Sequence, residues 1–171
     1  LFRKKMKNLF LPLLIFFYLT GNAFAIEKIV YLDLDYILSN SNKGKNILSD
    51  LDKKNNENIK ILKSKEEILK IEEENLLKQK NIISNEAYNK KVKNLQNKVK
   101  IFRSEKNQLV TEFKKNRENK INDFIKIVDN ILGEYVKANS IDLVLNKKDI
   151  VMGKNSFNIT EEILKKVNEL K

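Results

Sequence analysis

The chain has 171 residues and a formal net charge of +11, with no His, no Cys and no Trp. Without His or Cys, the sequence excludes Ser-His-Asp and Cys-His nucleophilic catalysis, the usual zinc sites and disulfide bonds. The positive charge favours anionic partners such as nucleic acid or a lipid surface. Lys, Asn and Ile are all abundant, however, and an AT-rich genome produces the same excess by codon drift.

The first 25 residues have the pattern of a secretory signal peptide. Four basic side chains between Arg3 and Lys7 precede an apolar run from Leu9 to Leu19. Ala23-Phe24-Ala25 then provides a small-x-small cleavage signature. The apolar run is shorter than the roughly 20 residues that a spanning helix needs. We therefore predict cleavage after Ala25, a mature chain of residues 26–171, and a periplasmic location.

The mature chain opens with a predicted strand at Ile29–Leu32. The next three residues, Asp33-Leu34-Asp35, resemble the Asp-x-Asp motif of haloacid-dehalogenase-type phosphotransferases, in which the first Asp attacks phosphorus beside a bound magnesium ion. Ile37 occupies the position of that family's usual Thr, and no doubly wound sheet follows. We expect instead that Asp33 or Asp35 caps a short helix that runs through Leu38.

A long helical region comes next, because the 88 residues between Gly44 and Gly133 contain neither Gly nor Pro. A seven-residue apolar ladder, interrupted only at Asn55, predicts the first helix. The ladder consists of Leu48, Leu62, Leu69, Leu76 and Ile83. The usual second row of such a seam falls at Asp52, Ile59, Glu66, Glu73 and Lys80, of which only Ile59 is apolar.

A second helix is predicted by apolar positions separated alternately by four and three residues. These positions are Tyr88, Val92, Leu95, Val99, Phe102, Lys106, Leu109 and Phe113. The two ladders are out of register between Ile83 and Tyr88, and Ser84 is a candidate N-cap there. We predict an antiparallel helical hairpin with its tip near residues 83–87. Each arm of roughly 40 residues reaches about 60 Å.

The C-terminal part returns to strands and ends in a helix. Ile141–Leu145 and Ile150–Met152 are predicted strands, joined by a polar turn through Asn146, Lys147 and Lys148. Thr160, followed by two Glu residues, is expected to cap a final helix. The apolar face of that helix consists of Ile163, Leu164 and Val167.

The predicted fold is α+β and mostly helical, with a β-rich body formed by residues 26–44 and 133–171 and a coiled-coil hairpin arm formed by residues 45–132. Because so few short strands make only a marginal core, we expect the body to oligomerise. The body residues expected to carry this contact are Ile29, Val30, Tyr31, Leu32, Ile141, Leu143, Val144, Leu145, Ile150 and Val151.

Several segments together resemble the Skp (OmpH) family of periplasmic chaperones. They are Lys28–Asp33 with Ile37-Leu38, Ser41 with Gly44-Lys45, Ser140–Val144, and Ile159–Lys165. By this resemblance the protein is a homotrimer, in which strands of three subunits form a small β-barrel and three helical pairs surround a cavity. The resemblance also implies ATP-independent holding of unfolded outer-membrane β-barrel proteins, with no enzymatic activity and no cofactor.

The charge distribution agrees with such a role. Residues 53–120 contain 19 basic and 10 acidic side chains, whereas the rest of the mature chain contains 11 and 13. Flexible, positively charged arms can attract an acidic unfolded protein through weak, replaceable contacts. The basic residues expected to contribute are Lys78, Lys80, Lys90, Lys91, Lys93, Lys98, Lys100 and Arg103. An anionic lipid or lipopolysaccharide surface is a further candidate partner, but Asn116–Lys120 lacks the paired arginines of the family's lipopolysaccharide cluster.

Two other functions use the same features. A structural coiled-coil adaptor of the envelope would need only the long helices and would be rigid. A nucleic-acid-binding protein would explain the basic charge, but the predicted export and the lack of a base-reading motif argue against it.

Overall fold

The computed structural model describes residues 27–170. The predicted signal peptide, residues 1–25, therefore lies outside the described residues. Within them the chain forms two strands and four α-helices. In chain order these are β1 (Ile29–Leu32), α1 (Leu34–Asn40), α2 (Asn42–Gln79), α3 (Asn85–Ala138), β2 (Leu143–Asn146) and α4 (Thr160–Glu169).

Short polar side chains set the starts of the first two helices. The Asp33 carboxylate accepts a hydrogen bond from the Tyr36 amide at 3.0 Å, so Asp33, one of the two predicted candidates, caps α1. Ser41 ends α1 and caps α2, its hydroxyl accepting from the Gly44 amide at 3.1 Å. Gly44 is needed here, because a Cβ at this position would lie 1.9 Å from the Leu38 carbonyl oxygen. The tight turn between α1 and α2 thus depends on a missing side chain.

Helices α2 and α3 contact each other from the Asp50–Lys120 ion pair to their connection, and we call this part, residues 50–120, the helix pair. Residues 80–84 connect them, and the Ser84 hydroxyl accepts from the Ala87 amide at 3.3 Å, which confirms Ser84 as the N-cap of α3. Three side-chain contacts between the helices are Lys65 with Glu105, Glu72 with Lys98, and Gln79 with Lys91. Residues later in α2 thus meet residues earlier in α3.

The burial pattern confirms the first apolar row of α2 and, apart from the exposed Lys106, the row of α3, and it corrects the second row of α2. Every member of the Leu48 to Ile83 ladder is half-buried, including Asn55 where the ladder is interrupted. The row expected at Asp52, Ile59, Glu66, Glu73 and Lys80 is exposed throughout. The second row instead lies three residues after the first: Leu51 and Asn58 are buried, Glu72 and Gln79 are half-buried, and Lys65 is exposed but contacts α3. Its last three members are polar, and each has a partner on α3.

The body contains a two-stranded parallel sheet in which Ile29 pairs with Leu143 and Leu32 with Asn146. The predicted third strand at Ile150–Met152 is wrong: these residues are irregular, and Val151 and Met152 are almost fully exposed. Lys147–Asp149 forms a 3₁₀ turn in place of a hairpin turn. Asn158 bridges to Tyr31 in β1, and within the described part of the chain residues 150–152 pair with neither strand.

One apolar core joins β1, α1, the last part of α3 and α4. Its fully buried side chains include Ile37, Phe124, Val128, Ile163 and Val167. Two of these, together with Ile131, lie in α3 before Gly133, the residue at which we expect the body to resume. The helix that forms half of the pair therefore continues into the body core.

The apolar face of α4 is confirmed, since Ile163, Leu164 and Val167 are all buried. The cap predicted for Thr160 is wrong, because Thr160 is already helical and makes no capping hydrogen bond. Its hydroxyl instead accepts from the Asp33 amide at 2.9 Å and donates to Asn158. Thr160 therefore ties the start of α1 to the start of α4 inside the core.

Candidate functional site: two faces of the helix pair

The Asp-x-Asp segment is bound by ion pairs to the residues that follow β2. Asp33 and Asp35 form ion pairs with Lys147 and Lys148, at 3.1 and 2.6 Å. The Tyr36 amide, opposed by partial burial and assisted by Lys147, lowers the pKa of Asp33 below its usual value. Residues 27–170 contain no group of three acidic side chains that could hold a metal ion. Both carboxylates thus fix the segment after β2 against α1.

One face of the helix pair is closed by polar contacts across the helices, and we call it the tied face. The Lys65 ammonium lies 2.6 Å from Glu105, and that of Lys98 lies 2.7 Å from Glu72. Between these two ion pairs is a depression of about 280 Å³ whose apolar wall includes Ile68 and Ile101. Every charge that borders this depression has an opposite charge bound to it.

The other side of the pair is an open groove of about 1000 Å³. Its floor consists of half-buried seam residues from both helices, namely Leu69, Leu76, Val92, Leu95, Val99 and Phe102, and Leu77 adds an exposed apolar wall. Its charged side chains are Glu66, Lys70, Glu73, Lys100, Arg103 and Lys106. Among the described residues none of these six takes part in an ion pair. With four bases against two acids, the open groove is positive.

The structure divides the eight basic residues predicted to bind a partner. Lys91 and Lys98 lie on the tied side, where Gln79 and Glu72 engage them. Lys100 and Arg103 border the open groove. The remaining four lie near the connection between the helices and are exposed; they are Lys78, Lys80, Lys90 and Lys93. Sequence reasoning did not include Lys70 and Lys106 among the partner-binding residues, although Lys70 directly follows the seam residue Leu69 and Lys106 is itself a predicted seam position.

The ten body residues predicted to join subunits also separate into two groups. Val30, Tyr31, Leu32 and Ile141 are buried within the chain itself, and Val144 and Ile150 are half-buried. The other four are exposed, and they are Ile29, Leu143, Leu145 and Val151. Strand register explains most of this division, since Val30, Leu32 and Val144 lie on the sheet face that contacts the core. On the opposite face Ile29, Leu143 and Leu145 stay exposed, whereas Tyr31 is buried beside Gly153 and Lys154.

Comparisons with known proteins assign the chain a fold and a family. The family model described as "Outer membrane protein (OmpH-like)" matches residues 28–167. The crystal structure of a proposed outer membrane chaperone (OmpH-like) from Caulobacter crescentus CB15 superimposes with a TM-score of 0.75 at 14% sequence identity, covering 84% of this chain and 85% of that one. A search of curated proteins found no match. No helix among residues 27–170 is both long enough and apolar enough to cross a bilayer.

Proposed function

The chain belongs to the family of OmpH-like outer membrane proteins, a chaperone family, and we propose that it is a periplasmic holdase for unfolded outer-membrane β-barrel proteins. In this proposal the helix pair is an antiparallel arm that binds the unfolded client. Binding prevents aggregation without ATP, and the client's own folding elsewhere drives its release.

The observation that carries the proposal is the large amount of apolar surface that the helix pair leaves in water. Ile59, Ile61, Ile68, Leu77 and Ile101 are each at least 40% exposed, although all lie in well-formed helices. A stable structural rod would bury such side chains against its partner helix. Exposed apolar positions among many charges are suited to weak contacts with the alternating apolar residues of an unfolded β-strand.

The positive charge of the arm supports the choice of an acidic client. The four lysines near the helix connection, with Lys100 and Arg103 at the groove, create a field that attracts unfolded proteins of net negative charge. An anionic lipid or lipopolysaccharide headgroup would respond to the same field. The attraction is long-range and therefore depends on salt.

Assembly into a homotrimer is the second part of the proposal. The exposed side chains of Ile29, Leu143 and Leu145 on one sheet face, and those of Val151 and Met152, would provide apolar surface for a second and third copy. A two-stranded sheet is marginal by itself, and pairing between subunits would give residues 150–152 the strand neighbour that one chain lacks.

The direct test is an aggregation assay with the mature protein, residues 26–171. A urea-unfolded porin is diluted into buffer with or without the protein, in the absence of ATP, and light scattering is followed. We expect scattering to be suppressed at about one assembly per client, and multi-angle scattering to give three times the chain mass. A monomer that leaves aggregation unchanged would contradict the proposal.

The electrostatic part has its own test. Reversal of the charge of Lys78, Lys80, Lys90 and Lys93 is expected to weaken client binding at low salt and to change it little at high salt. Unaltered binding at low salt would show that the field of these lysines does not contribute.

A further inference from the structure

We infer that the open groove, and not the tied face, is the surface of the arm that holds the client, and that its preferred occupant is an extended segment with apolar residues next to carboxylates. This inference rests on the proposed chaperone function. It names the face and the client chemistry that family membership leaves open. The two faces lie on the same two helices and differ in how their charges are used.

The charges of the tied face are already satisfied. Lys65 with Glu105 and Lys98 with Glu72 form pairs at 2.6 and 2.7 Å, so a client carboxylate that approached either lysine would have to displace a carboxylate already bound. The exchange of one ion pair for another gains little free energy at an exposed site. The apolar surface of this face is also small, because it lies in a depression of about 280 Å³ between the two ion pairs.

The charges of the open groove are available. Lys100, Arg103 and Lys106 follow one edge along α3, and Lys70 lies on α2, with only Glu66 and Glu73 to oppose them. None of these side chains is in an ion pair within the described residues, so client carboxylates meet them without displacing a bound partner. The charge of the groove is thus complementary to an acidic segment.

The length of the groove fits a short extended peptide. The lining residues run from Glu66 to Leu77 on α2, about 17 Å at 1.5 Å per residue. On α3 they run from Tyr88 to Lys106, about 27 Å. An extended strand rises about 3.3 Å per residue, so the groove accommodates about five to eight residues. Alternate side chains of such a segment would face the apolar floor.

The seam residues strengthen this assignment because they are only half-buried by the partner helix. Leu76, Leu95 and Val99 form part of the groove floor and keep surface that a client side chain can cover. Covering that surface contributes free energy in proportion to the apolar area removed from water. A client in the groove would therefore complete the packing of the seam.

The first experiment compares one exposed apolar position on each face of α2. A photo-crosslinking amino acid replaces Leu77, which is 60% exposed in the groove, or Ile68, which is 54% exposed on the tied face. The probe client is urea-unfolded porin. We expect several-fold more crosslinked client from position 77 than from position 68. Equal yields, or a larger yield at position 68, would overturn the assignment of the face.

The second experiment separates local complementarity from the general field of the arm. The groove variant is Lys100→Glu with Arg103→Glu, and the matched control is Lys90→Glu with Lys93→Glu, which changes the net charge equally near the helix connection. The probe is an acidic peptide that binds in an extended conformation. At low salt we expect the groove variant to bind it about tenfold more weakly than wild type, as the loss of two exposed ion pairs implies. The control variant is expected to lose less affinity. Equal losses would contradict a role of the groove.

A swap of Lys65→Glu with Glu105→Lys keeps the ion pair on the tied face and is expected to leave client binding unchanged.

The outcomes of these experiments distinguish failure of the groove assignment from failure of the proposed function. If neither crosslinking position captures client while the wild type still suppresses porin aggregation, the chaperone function stands and the groove assignment is wrong. If wild type does not suppress aggregation, the proposed function itself fails.

Discussion

The body and the helix pair of this chain are held together in different ways. The body has a continuous apolar core in which Ile37, Phe124, Val128 and Ile163 are fully buried. From residue 59 to residue 123, by contrast, no side chain is fully buried. The helix pair is joined by a half-buried apolar row and by exposed polar contacts for which water competes. Its local opening should therefore cost much less free energy than unfolding of the body.

The largest expected effect comes from truncating the same side chain in each region. Phe124→Ala removes a fully buried ring from the body core and is expected to cost about 3–5 kcal/mol of unfolding free energy. Phe102→Ala removes a half-buried ring from the helix pair and should cost less than half as much. Urea unfolding followed by circular dichroism measures both. Equal losses would show that the two regions are equally well packed.

Two glycines provide the next comparison. Gly44→Ala places a Cβ against the Leu38 carbonyl and is expected to cost about 1–3 kcal/mol, because α1 and α2 must move apart. Gly133 lies in α3 with open space around it, so Gly133→Ala should stabilise the protein by about 0.5–1 kcal/mol. Thermal unfolding of the two variants should shift in opposite directions. A shift in the same direction would contradict the close contact at Gly44.

Asp33 makes the stability of the body depend on pH. Hydrogen bonding by the Tyr36 amide lowers the pKa of Asp33 in the folded protein. The contribution of the Asp33 carboxylate to the free energy of unfolding is therefore fully present above the unfolded pKa of about 3.9, and it is lost as the pH falls through the lowered folded-state pKa. We expect Asp33→Ala to cost about 0.5–2 kcal/mol at pH 7. The difference from wild type should shrink in acid. Asp35→Ala, which removes only an exposed ion pair, is the control and should change stability little.

The smallest effect concerns the ties of the helix pair. A double-mutant cycle on Glu72 and Lys98 should give a coupling of about 0.2–1 kcal/mol at low salt that disappears at high salt. A coupling that persists at high salt would indicate a stronger, less hydrated contact than the exposed positions of these side chains imply.

The parts of the fold that depend on local chemistry could be predicted from the sequence. The cap at Asp33, one of two predicted candidates, the cap at Ser84 and the first apolar row from Leu48 to Ile83 are confirmed, because each depends on residues close together in the chain. Strand β1 is confirmed as well, although it pairs with the distant β2. The half-burial of Asn55 follows from the same seven-residue period. Periodicity fixes which side of a helix faces its partner even where one member of the row is polar.

The failures concern features that depend on distant residues. The second row of α2 could not be located because Lys65 and Glu72 look like solvated residues until their partners, 40 and 26 residues away, are known. Ile150–Met152 has strand-like residues but no strand beside it in one chain. Thr160 has the right residue type for a cap, but the Asp33 amide and Asn158 use its hydroxyl. The open groove likewise exists only once α2 and α3 are side by side.

We propose that the weakly packed helix pair binds the client while the well-packed body holds the assembly. Hydrogen exchange of the mature protein, measured by mass spectrometry with and without urea-unfolded porin, tests it most directly. We expect slow exchange in the core segments of the body in both states. We expect fast exchange in the helix pair alone, with client-dependent protection at residues 66–77 and 88–106. A helix pair as protected as the body without client, or protection by the client confined to the body, would contradict the account.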